Sequence, residues 1–176
     1  VSIAAGITTD KIKMFLKESN VIRVLPNTPM TVLSGATVLA TPSEDVPNDL
    51  IELVKRIFSA CGIVAELSED KINEIIPVSS SSPAFFFRII KAMVESAQRH
   101  GIDEKTALSL AVSTMSGVCN LIETTGKDLN QLIAEVSSPN GTTVAGLSAF
   151  DDFGFESFMD MVFDRTIHRA YELGKG

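Results

Sequence analysis

Residues 35–67, GATVLATPSEDVPNDLIELVKRIFSACGIVAEL, read as strand, helix, strand, and that order decides the fold of the first part of the chain. Residues 35–40 read as a strand. Leu50, Leu53, Val54, Ile57, Phe58 and Cys61 then trace one stripe of a helix capped by Gly62, and residues 63–67 return as a second strand. Upstream, residues 21–25 read as a strand ended by Pro26. Residues 1–5 are a short apolar run broken by Gly6, and Asp10 opens a helix whose Ile12, Phe15 and Leu16 fall on one face. This alternation predicts a mainly parallel sheet with crossover helices.

After Ser68 the period changes. Phe86, Ile89, Ile90, Met93, Val94 and Ala97 repeat at helical spacing up to His100-Gly101, and Asp103 is the expected N-cap of a helix running to about Thr124. Helical patterns follow at residues 129–135, 144–150 and 155–173, so residues 68–176 read as wholly helical. Residues 106–122 carry no charge and are apolar nearly all round, so that helix needs cover on every side. Some five helices in this stretch hardly supply it, which predicts an interleaved homodimer.

With 176 residues and 45% apolar content, the chain suffices for one ordinary domain or two small ones, each with a core. A net charge of −7 and a pI near 4.8, with no basic patch, argue against nucleic acid as a partner. Small molecules or protein are expected instead. Cys61 and Cys119 sit in apolar helical patterns, which fits small buried hydrophobes in a reducing, cytoplasmic compartment rather than a disulfide or metal ligands. The start of the chain lacks the basic-then-apolar order of a targeting signal. The uncharged run 106–122 is short and laced with Ser, Thr and Asn, so a buried helix is preferred to a membrane span, and no membrane association is expected.

The heptapeptide Ser137-Ser138-Pro139-Asn140-Gly141-Thr142-Thr143 stands just ahead of an apolar helical run. Asn-Gly tolerates positive φ, so successive N–H groups can be aimed at one point, and the helix N-terminus adds partial positive charge there. A small carboxylate suits such a site. A plain helix-capping turn explains the same residues, and by itself the heptapeptide favours that reading.

Three segments taken together change the balance. Arg23-Val24-Leu25-Pro26-Asn27-Thr28-Pro29 followed by Gly35-Ala36-Thr37, then Ser81-Ser82-Pro83-Ala84-Phe85, then residues 137–147 closely resemble the pyrroline-5-carboxylate reductase family in the same order. Ala4-Ala5-Gly6-Ile7 and Asp152-Phe153-Gly154-Phe155 fit as well. The resemblance implies an α/β partial Rossmann-type domain at residues 1–67, followed at residues 68–176 by an all-α dimerisation and substrate-binding domain. It further implies NADPH or NADH as cofactor, reduction of 1-pyrroline-5-carboxylate to proline, and dimers that in many members assemble into larger rings.

Carried over position by position, the resemblance places Ala5 and Gly6 near the cofactor and Asn27 and Thr28 at its nicotinamide end. Glu69 falls where the family has a residue lining the proline site. Ser138, Gly141, Thr142 and Thr143 match the substrate loop, with Thr143 at the imine nitrogen as the candidate catalytic residue. Asn140 stands where a glycine is usual, Ser80 replaces a common Gly, and Phe85 a common Tyr. No G-x-G-x-x-G follows a strand, so only the second half of a dinucleotide-binding domain is expected here, and this chain alone is expected to be inactive.

Other chemistry is weaker. His100 beside Gly101 and His168 within the last helix suit capping or surface positions, and Asp70 and Glu74 suit an acidic first turn of a helix. Serines 79–82 have no accompanying His and Asp, so a polar turn before Pro83 is favoured over a hydrolase nucleophile. Two alternatives remain: a non-catalytic oligomerisation module, and a hydroxyacid dehydrogenase that would use Lys91 on the long helix.

Overall fold

The computed structural model describes residues 1–17, 19–42 and 44–175. It divides into two compact units, one made of Val1–Phe85 together with Asp160–Gly176, the other of Phe86–Met159. The expected division between residues 67 and 68 does not coincide with this one. Ile72, Ile76 and Ala170 are buried in the same cluster as the strand residues Leu25, Val38 and Ala40, which draws both segments into the sheet unit.

In the sheet unit, β1 (Val24–Leu25), β2 (Gly35–Ala40) and β3 (Gly62–Leu67) lie in the order β1-β2-β3. β2 and β3 are parallel, in register from Gly35↔Gly62 to Ala40↔Leu67. The helix between them, Asn48–Ser59, is the crossover that a parallel pair requires. Here β1 corrects the parallel expectation, because it pairs antiparallel with β2 through Val24↔Leu39. Only the nine residues 26–34 separate them, too few for a crossover, and a 3₁₀ turn at Thr28–Val32 folds the chain back.

Residues 1–5 contribute a single parallel bridge, Ser2↔Arg23, rather than a strand. The first helix, α1 (Thr9–Lys13), is capped by Thr8, whose hydroxyl accepts from Lys11 N at 3.2 Å. It ends before Phe15 and Leu16, which are 80% and 53% exposed instead of packed. The crossover helix, α2 (Asn48–Ser59), likewise stops short of Cys61, and Gly62 begins β3 with φ +144, so close to Gly35 that a Cβ would overlap that residue's backbone.

Strand side chains alternate between the two faces. Ile22, Val24 and Leu39 meet Val46 and Val54, with Leu50, Ile51 and Phe58 of α2 packed against them. Leu25, Val38 and Ala40 meet α3 (Ile72–Ile75), Ile76 and Ala170 on the other face. Ala170 belongs to the long last helix, Phe155–Lys175.

The helical unit contains most of α4 (Ser82–Arg99), α5 (Glu104–Thr125), α6 (Leu129–Glu135), α7 (Thr142–Phe153) and the start of α8 (Phe155–Lys175). Asp103 caps α5, accepting from Thr106 N at 3.0 Å. Bonds from the Thr106 side chain and backbone hold its carboxyl below the usual range. α5 ends at Gly126, in the left-handed conformation, and Asp128 caps α6. Edge-to-face ring pairs, Phe150–Phe155 and Phe153–Phe158, bracket Gly154 where α7 turns into α8.

Among the described residues, the buried apolar side chains of residues 86–159 are Val94, Ala107 and Ala111. Leu108, Leu110, Val112, Val118 and Leu121 along α5 are exposed. Cys119 on the same helix is exposed too, against the expectation of burial, and Cys61 is half-buried; both thiols are free. Among the described residues no helix is long and apolar enough to cross a membrane.

Candidate functional site

The anion-ready turn is best built from α6 forwards. Val136 closes α6, and the Ser137 hydroxyl donates back to Ile133 O at 2.6 Å, so Ser137 is occupied by the helix it follows. Gly141 N then donates to Ser138 O at 2.9 Å across Pro139 and Asn140. Asn140 has φ +58, the positive value a turn with Pro at its second position needs at its third. Asparagine therefore does the conformational work of the glycine usual at that position.

Gly141 is the N-cap of α7 and no side chain caps it. Ala145 N is the donor to Gly141 O, so the N–H groups of Thr142, Thr143 and Val144 have no intrahelical acceptor. These face an exposed surface, in line with a carboxylate site. Gly141 N–H is not one of the free donors, since Ser138 O holds it. What Gly141 contributes is closeness: a Cβ there would stand 2.9 Å from Ser138 O.

Ala5, Gly6, Asn27, Thr28 and Glu69 all lie in the sheet unit. Gly6 is buried with φ +73, and the space beside it is filled by α8: a Cβ would meet Ala170 O at 2.7 Å and Gly174 N at 3.0 Å. Helix contact alone accounts for its lack of a side chain. Asn27 is spent on structure as well, accepting from Ala36 N at 2.9 Å and donating to Ser79 O at 3.1 Å, which ties the 3₁₀ turn to β2 and to the segment before α4. Ala5 and Thr28 remain exposed.

Glu69, which the resemblance matches to a residue lining the proline site, has a buried partner in the structure. Its Oε1 accepts from Thr9 N at 2.6 Å and lies 3.3 Å from Nη1 of Arg23, whose side chain is 3% exposed. Arginine at position 23 was legible only as part of a motif; a charged residue inside an apolar strand run is the signal that marks it.

The remaining candidates have structural duties. Glu74 accepts from Tyr171 OH at 2.5 Å, which raises the tyrosine pKa, with burial adding to the effect. Ser79 and Ser82 hydroxyls donate to Ile75 O and Val78 O, closing the turn into α4, with Pro83 one residue inside it. His168 pairs with Glu172. Lys91 is exposed and paired with Glu95 at 3.1 Å, an ordinary helix-surface ion pair. Among the described residues no three His, Cys, Asp or Glu side chains are placed to hold a metal ion.

A sheet of crossover type with α2 and α3 on opposite faces, joined in one chain to a helical unit whose apolar faces stay open, defines a Rossmann-type α/β protein with a helical C-terminal part. Residues 69–173 match the family described as pyrroline-5-carboxylate reductase dimerisation. The chain belongs to the pyrroline-5-carboxylate reductase family.

Relatives with that name include one from Methanosarcina acetivorans, 36% identical over 177 residues, covering 99% of this chain and 65% of the relative. Pyrroline-5-carboxylate reductase 2 of Bacillus subtilis is 33% identical over 174 residues, 98% of this chain and 62% of its own length. The chain thus spans a little under two thirds of these relatives. Among solved structures, a pyrroline-5-carboxylate reductase from Coxiella burnetii superposes with a TM-score of 0.91 at 34% identity, over 99% of this chain and 65% of that one. The pyrroline carboxylate reductase of Plasmodium falciparum, solved with NADP bound, gives 0.93 at 22% identity over 98% and 70%, a likeness of fold.

Proposed function

We propose that this chain is the substrate-binding and dimerising part of an NAD(P)H-dependent oxidoreductase that reduces 1-pyrroline-5-carboxylate to L-proline in proline biosynthesis. The observation that carries this reading is the turn at residues 138–143, where a positive-φ asparagine and an uncapped helix start leave the N–H groups of Thr142 and Thr143 unspent. Charge-assisted bonds from these donors and the Ser138 hydroxyl hold the substrate carboxylate. The Thr143 hydroxyl meets the ring nitrogen. It has no useful acidity near neutral pH, so it orients the nitrogen or relays a proton rather than acting as a strong acid.

The nicotinamide supplies hydride to the imine carbon when bound. Exposed Ala5 suits a place near the cofactor and the Thr28 hydroxyl its nicotinamide end, with Gly6 and Asn27 fixing the backbone that presents them. No glycine-rich phosphate loop occurs in these 176 residues to hold the pyrophosphate. Thr143→Ala in the full-length enzyme is expected to lower turnover severalfold or more while leaving NADPH affinity nearly unchanged; unchanged turnover rules out the role.

The open apolar faces of α5 support a homodimer, because a helix exposing Leu108, Leu110, Val112, Val118 and Leu121 needs a second surface. A monomer mass independent of concentration in sedimentation would refute it. The same faces favour a second reading, a non-catalytic oligomerisation module. NADPH-dependent reduction of 1-pyrroline-5-carboxylate by the full-length protein separates the two: turnover supports the enzyme, whereas dimers without turnover leave the module.

A further inference from the structure

We propose that Asn140 is a self-modifying site: Gly141 N attacks the Asn140 side chain, and the carboxylate that results weakens the grip of the loop on its substrate as the protein ages. This rests on the reading of residues 138–143 as the clamp for the substrate carboxylate. Of the seven asparagines in the chain, only Asn140 is followed by glycine. Its side chain is exposed and has no hydrogen-bond partner among the described residues, so nothing holds the carboxamide away from the backbone. Gly141 has no side chain to shield its nitrogen and cannot take one in this turn, because a Cβ would stand 2.9 Å from Ser138 O. Glycine at position 140 would supply the same positive φ with nothing to cyclise. The asparagine in its place brings the reactive group.

The step needs only water. Gly141 N gives its proton to hydroxide and bonds to Cγ of Asn140, the Cγ–Nδ2 bond breaks, and ammonia leaves behind a succinimide ring. Water then opens the ring on one side or the other of Gly141 N. Cleavage at Cγ gives aspartate at position 140, whereas cleavage at the main-chain carbonyl gives isoaspartate, in which the chain runs through Cβ and Cγ. One bond opposes the attack, since Gly141 N–H is held by Ser138 O at 2.9 Å and must first be released. A single exposed backbone bond slows the reaction by roughly tenfold at most, relative to the same sequence unfolded. Either product puts a negative charge one residue before Gly141, the N-cap of α7, where it opposes the binding of a second carboxylate. A like charge about 6 Å away weakens anion binding about threefold even in water. Isoaspartate also adds an atom to the backbone of the turn.

The test keeps the full-length reductase and its Asn140→Gly variant warm in mildly alkaline buffer, beside a synthetic peptide of residues 136–144. Peptide mapping follows mass and isoaspartate at position 140, and steady-state assays follow kcat/KM for 1-pyrroline-5-carboxylate, with freshly made Asn140→Asp as the reference for the charge. The unsubstituted enzyme is expected to convert at Asn140 with a half-time within about tenfold of the peptide's. Its kcat/KM should fall about threefold to tenfold as conversion completes, while Asn140→Gly keeps both its mass and its own starting value. Slower conversion, or none, refutes the modification, and a lowered kcat/KM in Asn140→Asp then leaves the reading of the loop standing. Conversion that leaves kcat/KM unmoved refutes the effect on binding, and if Asn140→Asp also matches the unsubstituted enzyme it overturns the reading of the loop beneath it. Loss of activity at the same pace in Asn140→Gly assigns the ageing to another position and refutes the proposal.

Discussion

Gly6 and Gly174 face each other across the end of α8, and substituting them singly and together measures what that approach contributes. Gly6→Ala puts a Cβ 2.7 Å from Ala170 O at φ +73, so two terms act. Left-handed backbone costs an alanine about 1–2 kcal/mol, and the overlap, which is with backbone and not with a flexible side-chain tip, costs about 1–3 kcal/mol. The stiffer unfolded chain returns about 0.4–1 kcal/mol, leaving a net loss of about 2–4 kcal/mol from a domain stability of order 5–15 kcal/mol.

Gly174→Ala brings its Cβ 2.5 Å from Gly6 O, but inside a helix it gains about 1 kcal/mol of propensity. Its net loss is therefore smaller, about 0–2 kcal/mol. A shift of the helix end that relieves one overlap relieves the other, so the double variant should lose about 1–2 kcal/mol less than the sum. Urea unfolding at fixed protein concentration reads all four proteins, since midpoint and slope separate stability from compactness. Additivity within about 0.5 kcal/mol would refute the shared contact, and a near-neutral Gly6→Ala would return that glycine to the cofactor.

Asn27→Ala removes the acceptor of Ala36 N and the donor to Ser79 O, and should cost about 2–3 kcal/mol by denaturant unfolding, because Ala36 N–H is left unpaired on the sheet. Leu33 has φ +60 and is exposed, so Leu33→Gly relieves backbone strain without losing packing; melting should rise, by an amount corresponding to about 0.5–1 kcal/mol. Asp103 has a lowered pKa through Thr106, so its capping contribution is whole above the ordinary carboxylate range, near pH 4, and is lost as pH falls through the depressed value. Asp103→Asn keeps the cap and should flatten that acid limb of the helical circular dichroism.

The crossover 35–67 was legible because strand and helix periods are set locally, and the cap at Asp103 is likewise a one-residue event. β1 escaped the parallel expectation because pairing direction depends on connection length, which the alternation of patterns does not weigh. Phe15 and Leu16 failed for a related reason: a helical stripe was read across residues where α1 had already ended. The turn at 138–143 was readable in outline, from Pro139-Asn140-Gly141, although which N–H stays free required the Gly141 to Ser138 bond. Gly6 and Glu69 carry the sharpest difference. Their neighbours, Ala170, Gly174 and Arg23, lie far away in sequence, and no local pattern announces the pairings.

The last seventeen residues belong to the unit that the first eighty-five begin, and this orders events on the ribosome. Ala170 completes the cluster under β1 and β2, Tyr171 holds Glu74, and Gly174 seats Gly6, while Lys11 Nζ reaches Gly174 O at 3.2 Å. None of these residues has emerged while the sheet is being made. β1 and β2 therefore wait, that face covered by α3 and Ile76 alone, through synthesis of the helical unit. That nascent interval, lasting until Asp160–Gly176 are made, is when these strands have most need of a holding chaperone.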